Sequence, residues 1–235
     1  MTRTATHGYY EQCLAAEALE ACYALAPPRV QRYLRAEVDF AVSLLRPGDV
    51  VLDLGCGYGR TIPQVAAATS FVVGIDTSLP SLRMARERLR GVDNCGVSCM
   101  DTTKLGFGPR SFDRVLCIQN GISAFHVDRR SLLREALRVL RPDGLAAFSS
   151  YADGFWEPRL DWFERQAAAG LIGPIDHRRT RRGLVVCTDG FTSGTVRPEE
   201  VRGLAAALRA EAESVEVDGS SSFSILKPSI DARTR

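Results

Sequence analysis

From residue 48 onward, short unbroken apolar runs alternate with stretches in which apolar side chains recur at helical spacing. The runs are Val50-Val51-Leu52-Asp53-Leu54, Phe71 to Asp76, Phe112 to Ile118 and Leu145 to Ser150. A run of this length without polar alternation marks a strand covered on both faces, and strands alternating with helices make a parallel sheet with helices on each side. The pattern predicts a doubly wound α/β fold. Helices are expected over 80–90 and over 128–141, where Leu132, Leu133, Ala136, Leu137 and Leu140 share a face, and a short third strand over Cys95 to Asp101. Ahead of the sheet, residues 9–26 read as one helix stopped by Pro27-Pro28. Residues 29–45 read as a second, with Val30, Tyr33, Leu34, Val38 and Ala41 on one side.

Past Tyr151 the texture changes. A helix near 155–169 is followed by a hairpin connection at Arg179 to Gly183, then Leu184 to Thr188 with Phe191 to Val196 as its pairing partner. Pro198-Glu199-Glu200 opens a last helix with Pro and acids in its first turn, as the helix dipole favours. Ser214 to Val217 and Ser222 to Leu226 are linked so tightly that they must pair antiparallel.

With 235 residues the chain forms one well-buried domain plus an N-terminal extension, divided here into 1–46 and 47–235. A net charge of +2 gives no general affinity for phosphate backbones, and the densest basic run, Arg178 to Arg182, is a solvated loop, so no nucleic-acid partner is expected. No apolar run approaches the ~20 residues of a membrane span, and MTRTATHGYYEQC lacks an apolar signal core. A cytoplasmic protein with no membrane partner is expected, and its seven cysteines are expected to be reduced. Cys95 and Cys99 have no second pair at zinc-like spacing, so no metal site is predicted. Cys56, Cys117 and Cys187 fall in the glycine loop and strands, as small apolar residues.

The first strand runs directly into Gly55-Cys56-Gly57-Tyr58-Gly59, and Thr61-Ile62-Pro63-Gln64 has the form of a capping box opening the next helix. The glycines allow close backbone approach to a ligand and a sharp turn from strand to helix. Asp53 bears on the ligand class. A carboxylate just before the first glycine repels the pyrophosphate of a dinucleotide but favours a ligand carrying an ammonium or a sulfonium. The spacing, G-x-G-x-G, also departs from the dinucleotide fingerprint.

The segment Val51-Leu52-Asp53-Leu54-Gly55-Cys56-Gly57-Tyr58-Gly59 resembles motif I of class I S-adenosylmethionine-dependent methyltransferases. Phe112 to Cys117 resembles that family's fourth-strand motif, and Leu140-Arg141-Pro142-Asp143-Gly144-Leu145 the turn before its fifth strand, so the likeness covers roughly 48–150. The resemblance implies a mostly parallel seven-stranded sheet ending in an antiparallel hairpin, under an N-terminal helical lid. It also implies S-adenosyl-L-methionine as cofactor. Asp53 and the loop of Gly55, Cys56, Gly57 and Gly59 would hold its amino-acid end, and Asp76 with Thr77 its ribose. Asp101 with Thr102 would hold its adenine, the lesser alternative being an ordinary Asp capping a strand end.

Gln119-Asn120-Gly121-Ile122 occupies the place where family members carry polar residues beneath the methyl group, and it lacks the Asp/Asn-Pro-Pro-aromatic run of enzymes that methylate base amines. A small-molecule acceptor follows. Cyclisation or alkyl transfer releasing methylthioadenosine, or a non-catalytic partner subunit, stays open, as does a homodimer. The catalytic candidates are His126, whose neutral imidazole could take one proton, and Tyr151 after the fifth strand; His126 could equally be a loop residue bonded to backbone. His7 and His177 stand in no motif. Tyr9, Tyr10 and Tyr33 could be lid or core residues, with Tyr10 assigned to the cofactor site, and Trp156, Trp162 and Phe163 could line an acceptor pocket or bury their helix.

Overall fold

A computed structural model describes residues 8–229. Five strands lie in parallel: β1 (Val50–Leu54), β2 (Phe71–Asp76), β3 (Cys95–Cys99), β4 (Phe112–Cys117) and β5 (Leu140–Tyr151). A separate hairpin, β6 (Leu184–Val186) with β7 (Thr192–Gly194), precedes β8 (Ala210–Val217) and β9 (Ser221–Pro228). The main sheet has the order β3-β2-β1-β4-β5-β9-β8, with β9 antiparallel to both neighbours. The helices are α1 (Tyr9–Gln12), α2 (Glu17–Ala24), α3 (Pro28–Ser43), α4 (Ile62–Ala67), α5 (Leu79–Arg88), α6 (Gly121–Ala124), α7 (Arg129–Val139), α8 (Trp156–Ala168) and α9 (Pro198–Ala207). Among the described residues no helix is long and apolar enough to cross a membrane.

Alternation along each strand sends neighbouring side chains to opposite faces. Leu52, Leu54 and Val115 join one core with Leu132, Leu133 and Ala136 of α7 and Val201 and Ala205 of α9. Val51, Val72 and Leu116 join the other with Ala41 of α3, Ile62 and Val65 of α4, and Leu82 and Ala85 of α5. Covering both faces is what makes the strands continuously apolar. Two satellite clusters join the chain's beginning to its later part: Tyr9, Leu14 and Cys22 with Phe163, Cys187 and Phe191, and Val30 and Tyr33 with Tyr151, Phe155 and Trp162.

Three local expectations are corrected. Residues 9–26 form two helices, not one: the chain breaks at Ala16, whose φ is 50 and whose N–H donates to Ser81 Oγ at 2.9 Å. Thr61 caps nothing with its side chain; its hydroxyl donates instead to Asp53 Oδ2 at 3.3 Å. β5 begins at Leu140, which pairs with Phe112 before the register shifts through Pro142-Asp143-Gly144. The helix α3 packs on the sheet, while α1 and α2 lie over the carboxyl ends of the parallel strands. His7 lies outside the described residues.

Candidate functional site

Where β1 ends, Gly55 turns the chain at φ 77, and both its N–H and that of Cys56 donate to Ile75 O at 2.8 and 2.9 Å. A Cβ at Gly55 would collide with the Phe125 ring. The loop is thereby stitched to the end of β2, where Asp76 continues the work: Oδ2 accepts from Gly57 N at 2.9 Å and Oδ1 from Ser78 N at 2.8 Å.

Above these strand ends lies a cavity of about 290 Å³, in the position where open α/β sheets bind ligands. Its first half is sheet-built, lined by Asp53, Gly55, Cys56, Gly57, Asp76 and Thr77, and, past β3, by Met100, Asp101 and Thr102. Its second half is walled by Tyr10, Tyr23, Tyr151, Trp162, Phe163 and Gln166. Gln119, at the end of β4, lines the cavity as well.

Asp53 is 2% exposed, and burial pushes its carboxyl up to about 7, helped by the charge of Asp76 and opposed by the Thr61 hydroxyl and the Arg60 guanidinium. The hydrogen bond it accepts from the Thr61 hydroxyl is long, at 3.3 Å. Asp101 uses Oδ1 to accept from Thr103 N and Oγ1 at 2.7 and 2.8 Å in a local turn.

Three sequence candidates stand apart from the cavity lining. Gly59, at φ 77, lies against Ala85 and Leu89, where a Cβ would approach Ala85 Cβ at 3.2 Å; its role is close packing of loop on α5. Asn120 is 2% exposed and works as a strut: Oδ1 accepts from Ser150 Oγ at 2.7 Å and Nδ2 donates to Gly194 O at 3.1 Å. His126 adopts φ 52 in the turn between α6 and α7; its neighbours Phe125 and Val127 line the cavity and it does not. Tyr151 does line it. Burial holds the Tyr151 phenol well above its ordinary range despite the pull of Arg159, so it is neutral at physiological pH.

Four further residues shape the site and escaped the sequence reasoning. Tyr23 donates its hydroxyl to Gln119 Oε1 at 2.8 Å. Glu37, fully buried, accepts from Gln119 N at 3.0 Å and from Ser221 Oγ at 3.2 Å, and burial pushes its carboxyl up to about 7 against the pull of the Ser149 and Ser221 hydroxyls. Arg60 lays its guanidinium 4.7 Å from the centroid of Tyr23, and its Nη2 is buried without a hydrogen-bond partner, as is Nε2 of Gln119. Arg159, 1% exposed, stacks 4.1 Å from the centroid of Tyr151 and donates to Thr195 Oγ1 at 2.7 Å and to Ser193 O. A signal existed for two of these: Glu37 lies on the apolar stripe of α3 between Leu34 and Ala41, and Arg159 lies one helical turn before Trp162 and Phe163. A charge on a buried face needs a partner or a purpose.

A buried, under-satisfied carboxylate beside a glycine loop, two more carboxylates along the strand ends and two orphaned donors fit a ligand with cationic, hydroxyl and carboxylate groups together. Among the described residues no cluster of His, Cys, Asp and Glu could hold a metal ion. Residues 51–144 match the family model for a methyltransferase domain. That match, the glycine loop and the strand order together make residues 51–144 a methyltransferase domain on a class I, Rossmann-like fold, the fold of S-adenosylmethionine-dependent enzymes. The chain is similar to 27-O-demethylrifamycin SV methyltransferase of Amycolatopsis mediterranei, 34% identical over 112 residues, 46% of this chain and 40% of that protein. It spans about two fifths of the length of the curated relatives it matches. The fold is shared with the PH0226 protein of Pyrococcus horikoshii, with a TM-score of 0.64, 22% identity and 94% of this chain against 98% of that one. It is shared also with an S-adenosylmethionine-dependent methyltransferase of Clostridium acetobutylicum, with a TM-score of 0.60, 15% identity and coverage of 83% and 91%.

Proposed function

We propose that this chain passes the methyl group of S-adenosylmethionine to a small molecule held in the aromatic half of the cavity. The observation that carries the proposal is the division of one cavity into a carboxylate-lined half and an aromatic half, with Gln119 also in its wall. A relative named for rifamycin methylation supports a small-molecule acceptor. When bound, the cofactor supplies a methyl carbon activated by a sulfonium leaving group.

The chain's own residues do the rest by binding and alignment. Asp53 would meet the cationic amino-acid end, Asp76 the ribose hydroxyls, and Asp101 with Thr102 the adenine. Residues 8–26 cover both halves and exclude water. Their fastening is specific: Tyr9 donates to Asp189 Oδ2, Glu20 pairs with Arg88, and Trp162 Nε1 donates to Cys22 O at 2.8 Å.

The test is incubation of the pure protein with the cofactor and pooled small metabolites, read by mass spectrometry. The expected result is S-adenosylhomocysteine beside a product heavier by one methyl. Methylthioadenosine without a methylated product would replace the proposal with cyclisation or alkyl transfer, and tight binding without turnover across broad pools would replace it with a partner subunit.

A further inference from the structure

We infer, on the footing of the proposed methyl transfer, that Gln166 selects the acceptor by hydrogen-bonding a neutral group that both donates and accepts, a carboxamide or lactam on an apolar body. The starting point is the pattern of α8. Its buried residues are Arg159, Trp162, Phe163 and Gln166, spaced i, i+3, i+4 and i+7, so they form one stripe. Asp161 and Arg165 pair with each other on the half-exposed side. Helix propensity and burial alike would favour a leucine at the last place of such a stripe.

Three of the four have their partners in the protein. Arg159 donates to Thr195, Ser193 and Gly194, Trp162 Nε1 donates to Cys22 O, and Phe163 packs on Phe191 with ring centroids 5.6 Å apart. Gln166 is 2% exposed and lines the cavity, yet its side-chain amide has no hydrogen-bond partner among the described residues. A buried amide is costly to leave unmatched, so its partner comes from what the cavity holds.

The surroundings fix the kind of partner. Among the described residues, the charged ones that line the cavity are Asp53, Arg60, Asp76 and Asp101, all contributed by the strand ends and the glycine loop. The lining contributed by residues 8–23 and by the chain from Tyr151 onward is uncharged. Its tyrosines are engaged or neutral: Tyr9 donates to Asp189 and Tyr23 to Gln119, and burial holds the Tyr10 and Tyr151 phenols well above their ordinary range. An ionic group set against this wall would meet no counter-ion, whereas a neutral polar group loses far less on leaving water. The Gln166 amide presents a carbonyl oxygen and an NH2 side by side, so one neutral group that donates and accepts satisfies both. Trp162 and Phe163, one turn back on the same stripe, cover the apolar body. A site built around a buried polar group rejects analogues lacking the matching group far more sharply than an apolar pocket rejects an extra methylene. Gln166 is therefore the specificity-determining residue of the aromatic half.

The experiment uses two probes of one shape, 3-phenylpropanamide and 4-phenylbutan-2-one, in which a methyl group replaces the amide NH2. Each is titrated calorimetrically into the full chain saturated with S-adenosylhomocysteine. The amide is expected to bind at least about tenfold tighter than the ketone, and Gln166→Leu to bring the two affinities together. Affinity for S-adenosylhomocysteine should hold within about threefold in that variant, and a larger fall would overturn the inference by moving Gln166 to the cofactor half. Gln166→Met keeps the side-chain length and carries the same expectations should the leucine variant misfold. A purely structural Gln166 would on substitution lower the melting temperature and leave the probe ratio where it was, which would overturn the inference. Equal affinities in the parent protein, or no measurable binding of the amide, would do the same. Failure of the parent chain to bind S-adenosylhomocysteine would instead sink the proposed function, and this inference with it.

Discussion

The Tyr23 hydroxyl and the Gln119 side-chain carbonyl meet at 2.8 Å, fastening α2 to the carboxyl end of β4. Tyr23→Phe removes the donor and leaves a buried acceptor unsatisfied, at a cost of about 1–3 kcal/mol. The fold should survive with an unchanged circular dichroism spectrum, while cofactor affinity falls roughly three- to tenfold through faster dissociation. Stopped-flow dissociation rates equal to those of the parent protein would show that this bond does not hold the cover closed.

Asp76→Ala should weaken S-adenosylmethionine binding by at least about a hundredfold, since two charge-assisted hydrogen bonds of roughly 1.5–3 kcal/mol each would be lost. The structure adds a second effect. Gly57 N and Ser78 N lose their acceptor as well, so the glycine loop should loosen and the melting temperature drop. Unchanged calorimetric affinity in this variant would remove Asp76 from the site.

Asp53 titrates at about 7 because it is buried. A cationic ligand favours its ionised form, so binding should expel close to half a proton at pH 7 and tighten as pH rises from 6 toward 8, then level off. Calorimetry in buffers of different ionisation enthalpy measures the proton directly, and Asp53→Asn should abolish its release.

Glu37 has a carboxyl raised from 4.5 to about 7 by burial. The unfolded chain therefore ionises first as pH rises, and this group's contribution to stability is full below 4.5, declines between 4.5 and about 7, and is constant above. The loss amounts to roughly 3 kcal/mol. Glu37→Gln should flatten that part of the stability profile and melt no lower than the parent at pH 8. A parallel pair of pH profiles in urea titrations would contradict the assignment.

Deleting residues 1–26 should leave the seven-stranded sheet folded, because α3 carries the packing against β1 and α4. The indole of Trp162, 5% exposed and bonded to Cys22 O, should then reach water and shift its fluorescence to the red, with cofactor binding severely weakened. Undiminished activity in that truncation would assign the segment to packing alone.

Fully covered strands such as Val50–Leu54 and Phe71–Asp76 advertise themselves as unbroken apolar runs, and the turn glycines and Asp53 lie beside them in sequence, so the sheet-built half of the cavity was legible. The break at Ala16 was not, because it accompanies a tertiary bond in which the Ala16 N–H donates to Ser81 Oγ. Thr61 matched a local capping pattern, but Asp53 competes for its hydroxyl. Asn120 looked like a ligand group because it is polar and follows a strand; only the folded chain brings Ser150 and Gly194 to it. Arg159 and Tyr23 come to the site from outside the parallel-strand repeat, and spacing along the sequence carries no record of that convergence.

The two halves of the cavity are written in separate stretches of chain. The matched family region ends at 144, and Tyr10, Tyr23, Tyr151, Trp162 and Phe163 all fall beyond its limits. Substitutions there can change which molecule is chosen without disturbing strand register or the glycine turn. Retargeting by grafting is thus a realistic engineering route: exchange the opening segment and α8 together, keep 51–144 as the chassis, and the sheet-built half of the cavity is inherited unchanged while the cover over it has to be fitted anew.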